Sequence, residues 1–295
     1  MKSHLCHTQA FPDQKEFFMQ KVLYVTDAVR FNKQSFDFAC TLCNINGAML
    51  TGLFLENLEL ESGAWDVIEA TAFSVNAQEV AVKEKRKNYC EENIRYFNEA
   101  CALRGISHHA HRNRGVPVAE VVRESRYADL IIADAATTFA ETRDAVPSAF
   151  VKDILKQAEC PVVIAPDGFE SIEKVIFTCD NSRAAMYAIK QFTYLFPQLH
   201  HRKAVLLNVS EPGKTLGEDK YKLKEWLKAH YDNIEVVLLE DSNVKACLLE
   251  YLLKQKNAFI VMGAYGRSTL SNLLSPSHAA PVVKLITQPV FIAHP

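Results

Sequence analysis

The sequence predicts an α/β protein built from two tandem, doubly wound, parallel five-stranded sheets with helices on both faces. Three observations carry that prediction. Short apolar runs alternate with segments of helical periodicity, the order that calls for parallel strands joined by crossover helices. The alternation begins again near the middle of the chain. The second pass also repeats the first in detail: Pro161-Val162-Val163-Ile164-Ala165 matches Pro289-Val290-Phe291-Ile292-Ala293, Pro147-Ser148 matches Pro276-Ser277, and Asp27 matches Asp180. Such a repeat reads as a tandem duplication of one domain of about 140 residues, a usual domain size. Residues 1–20 are polar and read as a flexible N-terminal segment. Residues 21–166 form the first domain, 167–173 a polar linker and 174–295 the second domain.

Taken in order, Lys21–Asp27 is a strand ending in an acid. Ser35 is placed to cap the next helix, and Asn46-Gly47 to end it. Ala48–Leu55 is the second strand, followed by a long excursion over 56–76. A helix then runs to about Arg104, with Cys90, Ile94, Phe97 and Cys101 at helical spacing. Ser107–His111 is a strand, Pro117 opens a short helix, and Asp129–Ala133 is the fourth strand. A helix over Ser148–Glu159 leads to the fifth strand, Pro161–Pro166. In the second half, Lys174–Asp180 repeats the first strand and its acid. Ser182 caps a helix with Ala185, Ala188, Ile189 and Phe192 on its core face. Strand Ala204–Val209, helix Asp219–His230 with Leu223, Trp226 and Leu227 inward, and strand Glu235–Leu239 follow. A helix Val244–Lys256 with Val244, Cys247, Leu248, Tyr251 and Leu252 on one side precedes the strands Ala258–Met262 and Pro289–Ala293.

Composition narrows the function. With 295 residues, 48% of them apolar, the chain can bury two cores, and a net charge of −2 gives no electrostatic case for nucleic acid. The basic run Lys83–Lys87 contains Glu84 and precedes Glu91 and Glu92, the make-up of a solvated helix face. Of eight cysteines, Cys40 and Cys43 form a lone CxxC inside a helical pattern, which points to core packing rather than metal or redox chemistry. Met1–Phe18 has no apolar signal region, and no run approaches the roughly 18 apolar residues of a membrane span. A cytoplasmic protein without membrane contact is expected. His109 and His111 would share one face of a strand, but no third ligand stands at suitable spacing, so no metal site is expected. There is no Gly-x-Ser-x-Gly elbow, no Walker lysine and no SGG-type phosphate loop, and Glu240-Asp241 reads as a solvated loop. The chain is not expected to be an enzyme.

The informative stretch is Ala258–Ser277. A buried strand breaks at Gly263-Ala264-Tyr265-Gly266, and a loop of nine residues leads to Pro276-Ser277 ahead of a helical pattern. A strand, a glycine turn and a helix N-terminus are the ingredients of an anion site in a parallel sheet. Ligands of such sheets sit beyond the carboxyl ends of the strands, at the reversal of strand order. Asp180 and Gly263 would both face that crevice. Each acid, Asp27 or Asp180, reads as a ligand contact or as a cap on its strand–helix turn. Ser277 reads as a helix cap or as a phosphate ligand.

These residues resemble the universal stress protein family in its tandem two-domain form, over roughly Lys21–Pro295. Nucleotide-binding members carry G-2x-G-9x-G followed by Ser or Thr, and this chain reads Gly263-x2-Gly266-x9-Pro276-Ser277. The resemblance implies a stress-response protein that holds ATP or another adenine nucleotide in its second domain. Asp180 would meet the adenosine part, Gly263, Gly266 and Ser277 the phosphates, with Met262 and Arg267 beside them; no metal is implied. Pro276 stands for the third glycine and removes one N–H. In the first half, Ala133 and Ala136 are expected at the glycine positions. The alternatives are an interaction scaffold that binds no nucleotide, or a weak ATPase. Single-domain relatives dimerise through their last strand, so the two halves are expected to pair internally through Val162–Ala165 and Val290–Ala293. Further homo-oligomers would use other faces.

Overall fold

The computed structural model describes residues 19–57, 77–140, 145–214, 219–263 and 287–295. The first half contains β1 (Lys21–Asp27), α1 (Lys33–Asn46), β2 (Met49–Asn57), α2 (Ala77–Leu103), β3 (His108–Gly115), α3 (Pro117–Ser125), β4 (Leu130–Asp134), α4 (Ala149–Gln157) and β5 (Val162–Ala165). The second half contains β6 (Lys174–Thr178), α5 (Arg183–Leu195), a 3-10 turn (Pro197–Leu199), β7 (Lys203–Ser210), α6 (Asp219–Lys228), β8 (Asn233–Glu240), α7 (Val244–Leu253), β9 (Ala258–Gly263) and β10 (Val290–Ala293).

The strands form one ten-stranded sheet in the order β3-β2-β1-β4-β5-β10-β9-β6-β7-β8. Every neighbouring pair is parallel except the central one, where β10 runs antiparallel to β5 with Phe291 opposite Val163. The expected strand-to-strand pairing of the halves is therefore present, and it fuses the two five-stranded sheets into one. Covering these edges removes two apolar rows of unpaired N–H and C=O groups from water. Helices α1, α2, α5 and α6 supply one apolar layer and α3, α4 and α7 the other. The first layer is continuous across the seam, for Phe38 of α1 touches Phe259 of β9 at 6.4 Å between ring centroids. Central strands such as β4 and β9 are buried on both faces, as their unbroken apolar runs require.

Several local expectations are corrected. Asn32, not Ser35, caps α1, its Oδ1 accepting from Gln34 N (2.9 Å) and Ser35 N. Ser35 lies buried inside the helix, donating its hydroxyl to Asn32 O and touching the Tyr24 hydroxyl. Gly47 does end the helix, in the left-handed conformation (φ 66°) that suits glycine. In α7 the buried residues are Leu249 and Leu252, with Leu248 and Tyr251 partly covered; of the expected stripe Val244, Cys247, Leu248, Tyr251 and Leu252 the last three face the core, and Leu249 joins them there. The strand expected over Ser107–His111 extends to Gly115. Along it, Arg112 Nε (2.6 Å) and Arg114 Nε (3.2 Å) both reach the buried carboxylate of Glu56 on β2. Burial alone would raise the Glu56 pKa, but the two guanidiniums override it and hold the carboxyl below its usual value.

Candidate functional site

Strand order reverses between β6 and β9 in the second half and between β1 and β4 in the first. Each reversal opens a crevice at the carboxyl ends of the strands. In the second half the two sides of that crevice are Asp180, just past β6, and Gly263, the last residue of β9. Parallel pairing of Phe177 with Val261 and a bond from Thr178 Oγ1 to Val261 O (3.1 Å) hold the two strand ends together.

Asp180 is exposed, and its Oδ1 accepts from Ser182 N at 2.9 Å. Its Oδ2 has no hydrogen-bond or ion-pair partner among the described residues. The turn is compact: Asn181 takes a left-handed conformation (φ 63°), and Ser182 caps α5 by accepting from Ala185 N (3.1 Å). From β7 the buried Asn208 donates to Cys179 O (2.6 Å) and pins the turn from below. Burial pushes the Cys179 thiol up to about 11, against the Asn181 N–H that favours the thiolate, which leaves it a poor nucleophile near neutral pH.

Gly263 is held by packing. A β-carbon there would lie 2.5 Å from both Ala184 C and Ala185 N, so the end of β9 rests on the first turn of α5. The Met262 side chain is buried in the apolar layer on the α3, α4 and α7 face, which leaves its backbone as the part near the crevice. Gly266, Arg267 and Ser277, with Pro276, lie outside the described residues.

The first half corrects the sequence alignment by one residue. Val22 pairs with Leu130, and its counterpart Val175 with Phe259; Ile131 pairs with Val162, and Ile260 with Val290. The partner of Gly263 is therefore Asp134, not Ala133, and that of Gly266 is Thr137, not Ala136. The match of Ser148 with Ser277 carries the same offset, so the sequence held the signal. The apolar character of Ala133 hid it.

The first crevice closes on itself. Asp134 accepts from Ala136 N (3.0 Å) on Oδ1 and from Asn32 Nδ2 (2.7 Å) on Oδ2. Asp27 is buried; its Oδ1 accepts from Val29 N (2.7 Å) and Arg30 N (3.1 Å), and its Oδ2 from Arg30 Nε (2.9 Å). Arg30 Nη2 continues to Thr138 O, and Ser148 Oγ donates to Thr137 O, both at 2.5 Å. Asp167, past β5, has its pKa raised by burial and by the charge of Asp134. Asp134 and Asp167 thus put two carboxylates, beside the Asp27–Arg30 ion pair, where a phosphate would need positive potential. Sequence reasoning missed Arg30, Asn32, Asp134 and Asp167, which become neighbours only when β1, β4 and β5 align. His111, the other open question, has its Nδ1 3.7 Å from Glu124 Oε2, and no group of three metal-ligating side chains forms among the described residues.

No family model matches this sequence, and no curated protein matches it. Solved structures do match its fold. A universal stress protein from Archaeoglobus fulgidus DSM 4304 aligns over 93% of this chain and 98% of its own, at 16% identity and a TM-score of 0.64. A candidate universal stress protein from Pseudomonas aeruginosa UCBPP-PA14 aligns over 94% of each chain at 13% identity, with a TM-score of 0.54. A functionally unknown protein from Pseudomonas aeruginosa PAO1 covers 94% of this chain and 93% of its own at 13% identity and 0.51. These likenesses span both halves, so the fold is that of tandem universal stress protein structures. Among the described residues no helix is long and apolar enough to cross a membrane.

Proposed function

We propose that this chain is a stress-response protein that binds an adenine nucleotide at the carboxyl-edge crevice of its second half and performs no catalysis of its own. The observation that carries this reading is the contrast between two equivalent acids. Asp27 is buried, with both carboxylate oxygens engaged by its own turn, whereas Asp180 is exposed and its Oδ2 has no partner among the described residues. A nucleoside hydroxyl or amino group can take that oxygen without displacing a protein partner. Gly263, Gly266, Arg267 and Ser277 would then meet the phosphates, with Met262 contributing backbone, and no metal is required. The first half would stay empty, because Asp134 and Ser148 already satisfy the groups a phosphate would use.

Calorimetric titration with ATP tests this. Saturable binding abolished by Asp180→Ala and untouched by Asp27→Ala is the expected result, and binding that depends on Asp27 would place the site in the other half. Phosphate release from ATP and magnesium should stay at the rate without protein. Release abolished by Asp180→Ala would identify a weak ATPase instead.

A second reading is favoured by Gly263 itself. Its contact with Ala184 gives it an architectural purpose that needs no ligand. On that reading the chain is an interaction scaffold, cytoplasmic like the first, and ATP leaves its melting temperature unchanged.

A further inference from the structure

Two thiols of the first half meet between helices. Cys40 of α1 and Cys101 of α2 are both free and buried, and their side chains share a hydrogen bond. Cys43, one turn further along α1, is buried near Cys40. The CxxC spacing drew attention to Cys40 and Cys43 as core residues. The thiol that Cys40 touches comes instead from 61 positions further along the chain, and only the packing of α1 beside α2 reveals it.

Arg104 latches this pair to the surface. Its Nη1 donates to Cys40 Sγ at 3.8 Å and its Nη2 to Asp37 Oδ1 at 2.6 Å, while the guanidinium lies 5.4 Å from the centre of the Phe36 ring. The Arg104 and Asp37 side chains are 36% and 53% exposed, so water competes for their ion pair and it holds weakly. The backbone beneath the latch is a helix end. Arg104 N and Ile106 N both donate to Cys101 O, and Gly105 turns left-handed (φ 67°) just past α2. Helix ends are among the places where local opening costs least.

We propose that Cys40 and Cys101 form a modification site, at which a hydroperoxide oxidises the two thiols to a disulfide tying α1 to α2. While the latch is closed the site is inert, because the hydrogen bond with Cys101 and burial both raise the Cys40 pKa. When Arg104 leaves Asp37, water and peroxide reach the sulfurs. The guanidinium, freed of its carboxylate, then favours the Cys40 thiolate. The Cys40 proton passes to water, and the sulfur attacks one peroxide oxygen. The O–O bond breaks, a sulfenic acid forms, and the departing hydroxide takes up a proton and leaves as water. The Cys101 sulfur attacks the sulfenic sulfur, the S–O bond breaks, and the S–S bond forms. A second water leaves with the Cys101 proton. Each sulfur gives up one electron and the peroxide takes up both. The proposal is independent of the nucleotide reading, since no residue of the second half takes part.

The test is treatment of the full chain with hydrogen peroxide at neutral pH, then alkylation of the remaining thiols and mass spectrometry of a digest. The expected product has lost two hydrogens, carries one peptide pair joined through Cys40 and Cys101, and reverts fully with dithiothreitol. Cys43→Ala should leave that cross-link in place, and Cys101→Ala should abolish it and leave a sulfenic acid on Cys40 for dimedone to trap. Asp37→Asn keeps the guanidinium but releases its latch, and should speed cross-linking at least threefold; Asp37 is exposed, which keeps folding out of the comparison. Asp180→Ala should leave the rate unchanged. Thiols that stay free in peroxide, or that join in another pairing, overturn the proposal. An unchanged or slower rate in Asp37→Asn overturns Arg104 as the gate.

Discussion

Gly263 and Ala184 approach so closely that a β-carbon on the glycine would sit 2.5 Å from the alanine carbonyl carbon. The obstacle is helix backbone, which cannot swing aside as a side chain can. Gly263→Ala should therefore destabilise the protein by about 1–3 kcal/mol, the usual cost of overpacking, with no nucleotide present. Urea denaturation measures it. Unchanged stability would mean that β9 and α5 can separate without cost.

The two acids should separate binding from folding. Asp27→Ala removes the acceptor of two backbone N–H groups and one guanidinium, and should cost about 1–3 kcal/mol of stability while ATP affinity holds. Asp180→Ala should change stability by less than about 0.5 kcal/mol, as exposed positions usually do, and should lower ATP affinity. Pro276→Gly restores an N–H to the proposed phosphate loop. A hydrogen bond to a charged group contributes roughly 1.5–3 kcal/mol, or about one to two powers of ten in affinity. Thermal denaturation and ATP titration of the three variants check both halves of the claim.

Thr51 on β2 is fully buried, and its Oγ1 has no hydrogen-bond partner among the described residues. Replacing the hydroxyl with a methyl group of nearly the same shape removes a buried unsatisfied polar atom. Thr51→Val should raise stability by roughly 1 kcal/mol. A loss of stability in equilibrium unfolding would count against this assignment.

Glu56 gives the fold an acid-sensitive contact. Its pKa is lowered in the folded state, so its stabilisation is present above the unfolded pKa and is lost as pH falls through the folded one. Wild type should exceed Glu56→Gln in stability at neutral pH. The gap should narrow from about pH 4.3, the ordinary glutamate value, downward. A gap independent of pH would show that Arg112 and Arg114 do not favour the charged form.

Legibility in the sequence followed burial. Strands β4 and β9, covered on both faces, stand out as apolar runs between polar turns; the repeat of β5 in β10 showed the duplication, and the seam itself followed only from the family resemblance. Asn32 was missed because four residues, 28–31, separate Asp27 from its helix cap, against one, Asn181, between Asp180 and Ser182. A loop that lengthens in one copy breaks the analogy on which the other copy is read. The closed first crevice joins Arg30 to Thr138 and Asn32 to Asp134, pairs about a hundred residues apart that only strand order brings together. In α7, the apolar run Cys247–Leu249 and, after Glu250, the run Tyr251–Leu253 leave helical phase undetermined until β7 and its neighbours select a face.

The seam between β5 and β10 also sets an order of events during synthesis. β5 is translated with the first half, but the strand that covers it ends at Ala293, roughly 130 residues later. At about 5–20 residues per second the ribosome needs on the order of 10 s to deliver it. Throughout that interval the nascent first half offers Val162, Val163 and Ile164 as an open template to any other extended segment nearby, including the β5 of a neighbouring nascent chain on the same message. Two growing copies side by side are thus the most dangerous company this protein keeps, until β10 emerges and closes the row.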